Sequence, residues 1–247
     1  MNLKGVSDVM GYMLIMAVVI AAISMVFLKT NNMVENTSKM FISEGLRQSF
    51  KRILNVVAIS TYGGAPLQSI QVELQGGYFW ISNETKIRIE YGTEPPVERY
   101  TGSLNYRYED FKISLENGGV WEEYYGYKQA IQEPRIFIHT TFAQSPSYST
   151  KVIAVVVINK LAGDASISGE GPVKLIFNTT SVNVITQDVS GTMNMTVTSP
   201  YAELWYEFFE TLPGDAYLNS TANTAKLSVY VDRIVITEYT TVVSVET

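Results

Sequence analysis

The chain has 247 residues, no cysteine and one histidine, His139. Without a thiol it can form no disulfide, no thiol nucleophile and no thiolate metal site. With one imidazole besides, zinc and transition-metal sites of the usual kinds cannot be assembled. We therefore expect no catalytic, cofactor-binding or metal-binding residues, and we interpret His139 as a structural side chain within a strand.

Basic residues are also few, with 18 Lys and Arg against 24 Asp and Glu, which gives a net charge of −6. Nucleic-acid binding depends on many Lys and Arg contacts to phosphate, so the composition disfavours it. The sequence also lacks a P-loop, a dinucleotide fingerprint and a G-x-S-x-G motif. We expect a protein that is not an enzyme; the alternative of a membrane-anchored enzyme would require acidic residues that converge from separate segments.

One long hydrophobic run dominates the N-terminal region. The segment Val9–Leu28 contains 20 residues without a charge or a proline. A helix of that length spans roughly 30 Å, the hydrocarbon thickness of a bilayer, so we predict a transmembrane helix over residues 9–28. The alternative is a buried core helix, which is usually shorter. The rest of the chain is too polar to cross a membrane, which indicates a single anchor.

The residues before the run differ from a conventional secretory signal, because no small-residue cleavage site follows the apolar core. Instead Lys4 and Gly5 stand directly before the run, followed by Val6 and Ser7. This pattern resembles the class III signal of archaeal type IV pilins and archaellins. The resemblance implies cleavage by a prepilin peptidase between Gly5 and Val6, with the apolar helix retained in the mature chain.

The resemblance also implies a role for Asp8. In bacterial pilins a glutamate is the fifth mature residue, whereas here the acid is the third after the expected cleavage point. Asp8 is therefore either a contact to the amino terminus of a neighbouring subunit or a solvated residue at the membrane edge.

The apolar pattern continues after the anchor at helical spacing over residues 30–59, for example at Met33, Val34, Phe50 and Ile53. This amphipathic segment is either the second half of one long helix, packed against the following domain, or a separate stalk. The domain organisation that we expect is a leader at 1–5, a long helix at 6–59 and a β-rich head at 60–247.

The period changes to two after a Gly-Gly-Ala-Pro stop at residues 63–66. Short alternating strands with frequent turns follow, and residues 151–160 are continuously apolar, which predicts a central strand buried on both faces. Separate strands are expected at 173–177, 181–188, 191–198, 227–236 and 239–245, and one short helix at Tyr201–Thr211. The expected fold class is α+β, with a long N-terminal helix and an antiparallel, sandwich-like head.

Five sequons of the form N-x-[ST] lie beyond the anchor, at Asn36, Asn83, Asn178, Asn194 and Asn219. They are consistent with N-glycosylation and with a C-terminal body outside the cell. We therefore expect a single-pass protein of the cell membrane and surface, which an extracellular filament would incorporate.

Tyrosine is abundant, with 16 residues. Aromatic side chains pack well on strands, and they also stack on sugars and on partner aromatics. Both interpretations stay open, and Trp121, Tyr124 and Tyr125 are the candidate binding aromatics.

The expected function is that of a structural subunit or minor component of a type IV pilus-like filament. Its expected partners are the membrane, a prepilin peptidase and identical or related pilin subunits, and no nucleic acid. The alternative is a membrane-anchored accessory protein, either archaellum stator-like or an adhesin, whose β head binds surface-layer protein or glycans.

Overall fold

The computed structural model describes residues 3–143, 149–163 and 165–246; within these ranges the side chains of residues 3–9, 32, 35, 36, 142, 143 and 149 are not described. The chain forms two compact units, Met1–Gly45 and Leu46–Thr247. The first unit consists of the beginning of helix α1, which runs from Leu3 to Tyr62. The last part of α1 belongs to the second unit, the head, together with all of the strands.

The head contains fourteen strands and one short helix in the described ranges. The strands are β1 (Leu67–Glu73), β2 (Tyr78–Ser82), β3 (Lys86–Tyr91), β4 (Val97–Tyr100), β5 (Ser103–Tyr108), β6 (Phe111–Glu116), β7 (Gly119–Tyr124), β8 (Tyr127–Gln132), β9 (Ile136–Ala143), β10 (Ser149–Ala162), β11 (Ser166–Ser168), β12 (Pro172–Thr198), β13 (Asp215–Asn219) and β14 (Thr224–Glu246). Helix α2, Ala202–Glu210, lies between β12 and β13.

The strands form two sheets. Sheet A has eight strands in the order β4-β3-β12-β14-β10-β9, and β1 and β13 pair additionally with β12 and β14. Sheet B has six strands in the order β11-β2-β5-β6-β7-β8. Among the described residues every pair is antiparallel except β10 with β14, which is parallel. The predicted class is confirmed: an α+β protein with an N-terminal apolar helix, a β-rich head and one short helix.

Two strands are much longer than the sequence predicted. The expected strands at 173–177, 181–188 and 191–198 are one strand of 27 residues, β12, and those at 227–236 and 239–245 are one strand of 23 residues, β14. Their pairing continues through register shifts between Thr179 and Ser181 and between Asp188 and Gly191. Bulges of this kind insert residues without ending a strand, so the breaks in alternation had been misread as turns.

The prediction that residues 151–160 are buried on both faces was wrong. β10 is central in sheet A, and Ala154, Val156 and Ile158 are buried on one face. Val155 and Val157, on the other face, are partly exposed. The described chain therefore covers one face of this part of the sheet fully and the other face only in part.

One core joins sheet A to α2. Trp205 and Phe209 of α2 are fully buried, and Trp205 contacts Trp121 of sheet B edge to face, with ring centroids 5.8 Å apart. Leu204, Trp205, Phe208 and Phe209 form the apolar face that the sequence predicted for this helix. α2 therefore closes the space between the two sheets on this side.

A second core surrounds the end of α1. Leu46, Phe50, Ile53, Leu54 and Val57 are buried, at the i, i+3, i+4 spacing of one helix face. The Phe50 ring stacks on Phe79 of β2 at 5.8 Å and 9°. The same end of α1 reaches sheet A, where the Thr179 hydroxyl donates to Ser60 at 3.2 Å.

Gly77, between β1 and β2, permits a close approach of Tyr106. A Cβ at Gly77 would clash with the Tyr106 hydroxyl oxygen, which donates to the carbonyl of Leu74. Because Tyr106 is fully buried, its ring cannot move without disturbing the core around α1.

We therefore expect Gly77→Ala to lower the free energy of unfolding of the head by about 1–3 kcal/mol, the cost of overpacking a core. The matched control is Gly191→Ala, because the nearest atoms to a Cβ there lie 3.8 Å away. Chemical denaturation of the full chain in detergent, followed by tryptophan fluorescence, measures both. Equal stabilities for the two variants would contradict this packing.

Candidate functional site

The apolar segment of α1 is the first part of the candidate site. Among the described residues, one helical segment, Met10–Asn31, is long and apolar enough to cross a membrane, and none of it is buried. Its large apolar side chains are all strongly exposed, from Met10 at 64% to Leu28 at 65%. The hydroxyl of Ser24 donates to the carbonyl of Ile20 at 2.8 Å, which satisfies this polar group within the helix.

A further apolar stripe follows the segment along α1. Met33, Val34, Met40 and Phe41 are between 62% and 75% exposed. At about 100° per residue they fall within one third of the helix circumference. We call these four residues the exposed stripe. The apolar residues of segment 30–59 thus form two groups. The exposed stripe is uncovered, whereas the apolar face that begins at Leu46 is buried in the head.

The leader residues and the candidate subunit contact lie at the beginning of α1. Lys4, Gly5, Val6 and Asp8 are helical, and their side chains lie outside the described residues. Cleavage after Gly5 and a contact by Asp8 therefore stay predictions.

The last part of α1 is fixed to the strands of the head by an ion pair whose carboxylate is buried and whose guanidinium is partly exposed. Arg47 of α1 donates through Nε and Nη2 to the two carboxylate oxygens of Glu122 on β7, at 2.5 and 2.8 Å. Glu122 is 2% exposed, and Gln129 of β8 also donates to it. Such a fork fixes both the position and the rotation of a helix on a sheet.

We expect Arg47→Met to lower the stability of the head by about 3 kcal/mol, because it leaves the Glu122 carboxylate buried without its cation. Arg233→Met is the matched control, since Arg233 forms a similar two-bond pair with Asp188 on the exposed surface. Denaturation curves should show a large shift for the first variant and a much smaller one for the second. A comparable effect of both variants would contradict a special role for the buried pair.

A second buried carboxylate joins sheet B to α2. Glu116 is 1% exposed and accepts hydrogen bonds from Trp205 Nε1 and from the Ser199 hydroxyl, both at 3.0 Å. Burial is the largest influence and raises the pKa of Glu116 above 4.5, while the hydrogen bonds and Lys112 act in the opposite direction. We interpret Glu116 as structural, because its two oxygens are used within the fold.

A raised pKa in the folded state has a definite effect on stability. As the pH rises above 4.5, the unfolded chain loses the proton of this group first, so the folded state becomes less stable until Glu116 ionises in it. We expect this loss in the wild type and a flatter profile in Glu116→Gln. Unfolding free energies between pH 4.5 and pH 8 measure the difference, and parallel curves would contradict it.

The structure separates the three candidate binding aromatics. Trp121 is fully buried against Trp205, which supports core packing, one of the two interpretations left open, and removes it from the surface-exposed aromatics. β7 is covered on both faces, and a tryptophan there fills the core. Tyr124 and Tyr125 are 43% and 69% exposed and contact each other edge to face at 4.6 Å. Tyr127, which the sequence analysis did not select, is 72% exposed beside them.

The sequon asparagines differ in accessibility. Asn83, Asn178 and Asn219 are exposed, whereas Asn194 is partly buried in sheet A between Ser228 and Glu90. The side chain of Asn36 lies outside the described residues. Glycosylation stays a prediction, with the first three sites the better placed.

Chemistry-bearing side chains are dispersed in the structure. His139 is exposed on β9 with its ring parallel to Phe137, at a centroid distance of 6.0 Å. Within the described ranges, no group of three or more His, Asp or Glu side chains is arranged to hold a metal ion.

Comparison with known proteins assigns this chain to a family. The profile of DUF7289, a family of unknown function, matches residues 4–247. The chain belongs to the DUF7289 family. An uncharacterized protein of Archaeoglobus fulgidus is 27% identical over 276 residues, covering 91% of this chain and 88% of its own length. No solved structure matches. The DUF7289 match includes both the apolar segment and the head.

Proposed function

We propose that this DUF7289 protein is a pilin-like surface protein. It is cleaved between Gly5 and Val6 by a prepilin peptidase, held in the membrane by α1, and assembled through α1 into a filament of identical or related subunits. The head lies outside the cell.

The length of the uncovered apolar surface carries this proposal. Exposed apolar side chains run from Met10 to Phe41, a helix length of about 48 Å. The hydrocarbon core of a bilayer is about 30 Å thick, so lipid does not cover the exposed stripe together with the whole segment before it. Neighbouring helices of the same kind would cover both.

The charges along α1 are compatible with such packing. Val9–Leu28 carries no charge, and by helical spacing the positions of Glu35 and Lys39, the charged residues within 33–41, are opposite the exposed stripe. Lys4 and Gly5 before the segment fit the prepilin signal, and Asp8 would neutralise the new amino terminus of a neighbour. A contact in which one face meets a different face of the next copy does not close, and so it propagates.

The amino terminus of the native chain tests this proposal. Mass spectrometry of the membrane and surface fractions should find peptides that begin at Val6. Gly5→Val should leave Met1 in place, because the enlarged side chain blocks the small-residue position of the signal. Gly11→Ala is the control and should be processed normally, since no atom lies within 4 Å of a Cβ there.

A native chain that begins at Met1, or a Gly5→Val chain that is still cut before Val6, would contradict the proposal. The first result would leave a plain signal-anchored protein, and the second would assign the cut to a different protease.

The exposed tyrosines favour one alternative, a membrane-anchored accessory protein or adhesin. Tyr124, Tyr125 and Tyr127 surround the hairpin turn between β7 and β8 and present their rings to solvent. Exposed tyrosines supply contact area for glycans and for proteins such as a surface layer. Abundance separates the two functions, because a filament subunit is plentiful in sheared surface material and an accessory protein is scarce there.

A further inference from the structure

The outer edge of β9 is the feature from which we draw a further inference. β9 is the last strand of sheet A, and β10 is its partner on one side. Among the described residues no strand pairs with its other side. Every second residue of such an edge presents its N–H and C=O groups outward, where another strand can pair with them.

β9 lacks the features that usually prevent an edge strand from pairing with another chain, such as charged residues, proline and bulges. Its sequence, Ile136–Ala143, contains no Lys, Arg, Asp, Glu or Pro. Its pairing with β10 runs without a bulge from Ala143 opposite Ser149 to Ile136 opposite Val156. A regular, uncharged edge of eight residues is about 26 Å long, enough for a stable strand pair.

The other terminal strands differ from β9 in this respect. Each carries at least one charge or is very short: Glu73 in β1, Glu98 and Arg99 in β4, Lys128 in β8, Asp215 in β13, and only three residues in β11. The absence of protection at β9 is therefore a local property and not a general one of this head.

The sheet face beside this edge carries a row of apolar side chains that are only partly covered. Phe137, at 45% exposed, lies in register with Val155 of β10, which lies in register with Val235 of β14. Both valines are partly exposed. A partner strand on β9 would extend this row of apolar side chains and cover the exposed side of Phe137.

A second open edge exists in the middle of β12, but it carries the charged Asp188, it is interrupted by two bulges and it is less accessible. Residues 179–192 pair with β14 on one side, while β1 and β3 occupy the two ends of the other side. A partner that brings its own sheet would have to fit between β1 and β3. Within the part of the chain that the structure describes, no strand pairs with any stretch of the outer edge of β9.

We propose that β9 pairs antiparallel with β9 of a second copy of this chain about a two-fold axis, so that the two A sheets form one continuous sheet. A two-fold axis places the strand against itself, and strands related in this way are antiparallel. Copies with a net charge of −6 repel one another in general, so an uncharged edge is where they can meet. This pairing uses the head alone and does not depend on the proposed function.

The test uses the absence of cysteine in the full chain. Cysteine is substituted singly at His139, Thr140 and Thr141, and each variant is treated with a short bismaleimide in detergent. Gln71→Cys, on the charged edge strand β1, is the control.

In a second experiment, sedimentation equilibrium measures self-association of the wild type, of Thr140→Lys and of Gln71→Lys. Thr140 and Gln71 are both exposed, and thermal melts confirm that the variants fold.

We expect crosslinked dimers from the β9 cysteines and not from Gln71→Cys. We expect Thr140→Lys to weaken self-association roughly tenfold, because the two-fold axis brings like charges together, and Gln71→Lys to leave it unchanged. A monomeric wild type would overturn the proposal. So would association that Thr140→Lys and Gln71→Lys affect equally, since the contact would then lie elsewhere, as in α1.

Discussion

The burial of the last turns of α1 in the head is the contact on which the rest of the structure depends. Phe50 stacks on Phe79 in a core that both sheets share, and the Arg47–Glu122 fork fixes the rotation of the helix on sheet B. Because Leu46, Ile53 and Val57 are buried as well, this part of α1 is a core element of the β domain. The apolar interaction supplies most of the stabilisation, and the ion pair fixes the register.

Because of this contact, the two parts of α1 have different surroundings. From Leu46 one apolar face of α1 is buried in the head, whereas from Met10 to Phe41 the large apolar side chains are exposed. The exposed part requires lipid or other helices, and it is longer than a bilayer is thick. A helix of this kind can lie in a membrane before assembly and pack against other subunits in a polymer. For this reason we propose a pilin-like role for this family member.

The sequence predicted the elements whose signals are local. The apolar run, the helical stripe and the Leu204–Phe209 face all follow the helix period, and glycine and asparagine mark most hairpins. The sequence did not predict the features that depend on contacts between distant parts of the chain. β12 continues past Thr179 and Ser190 because β14 pairs with it on both sides of each bulge, which alternation within one segment cannot reveal.

The candidate site shows the same division. Trp121 and Glu122 are adjacent and both buried, because α2 covers one face of sheet B and α1 the other. No local pattern distinguishes such a strand from a half-exposed one, so the sequence left the burial of Trp121 undecided and the Arg47–Glu122 pair was missed. The leader predicted at Lys4 and Gly5 rests on a short, contiguous motif alone, and it stays a prediction.

The most direct test of this account is hydrogen exchange of the full chain in lipid nanodiscs. The account predicts that amides in residues 46–62 exchange as slowly as those of β10 and β14 and are released together with them on unfolding. It also predicts that amides in residues 10–31 are protected by the lipid. Fast exchange over residues 46–62, as in an exposed helix, would contradict the claim that the end of α1 belongs to the core of the head.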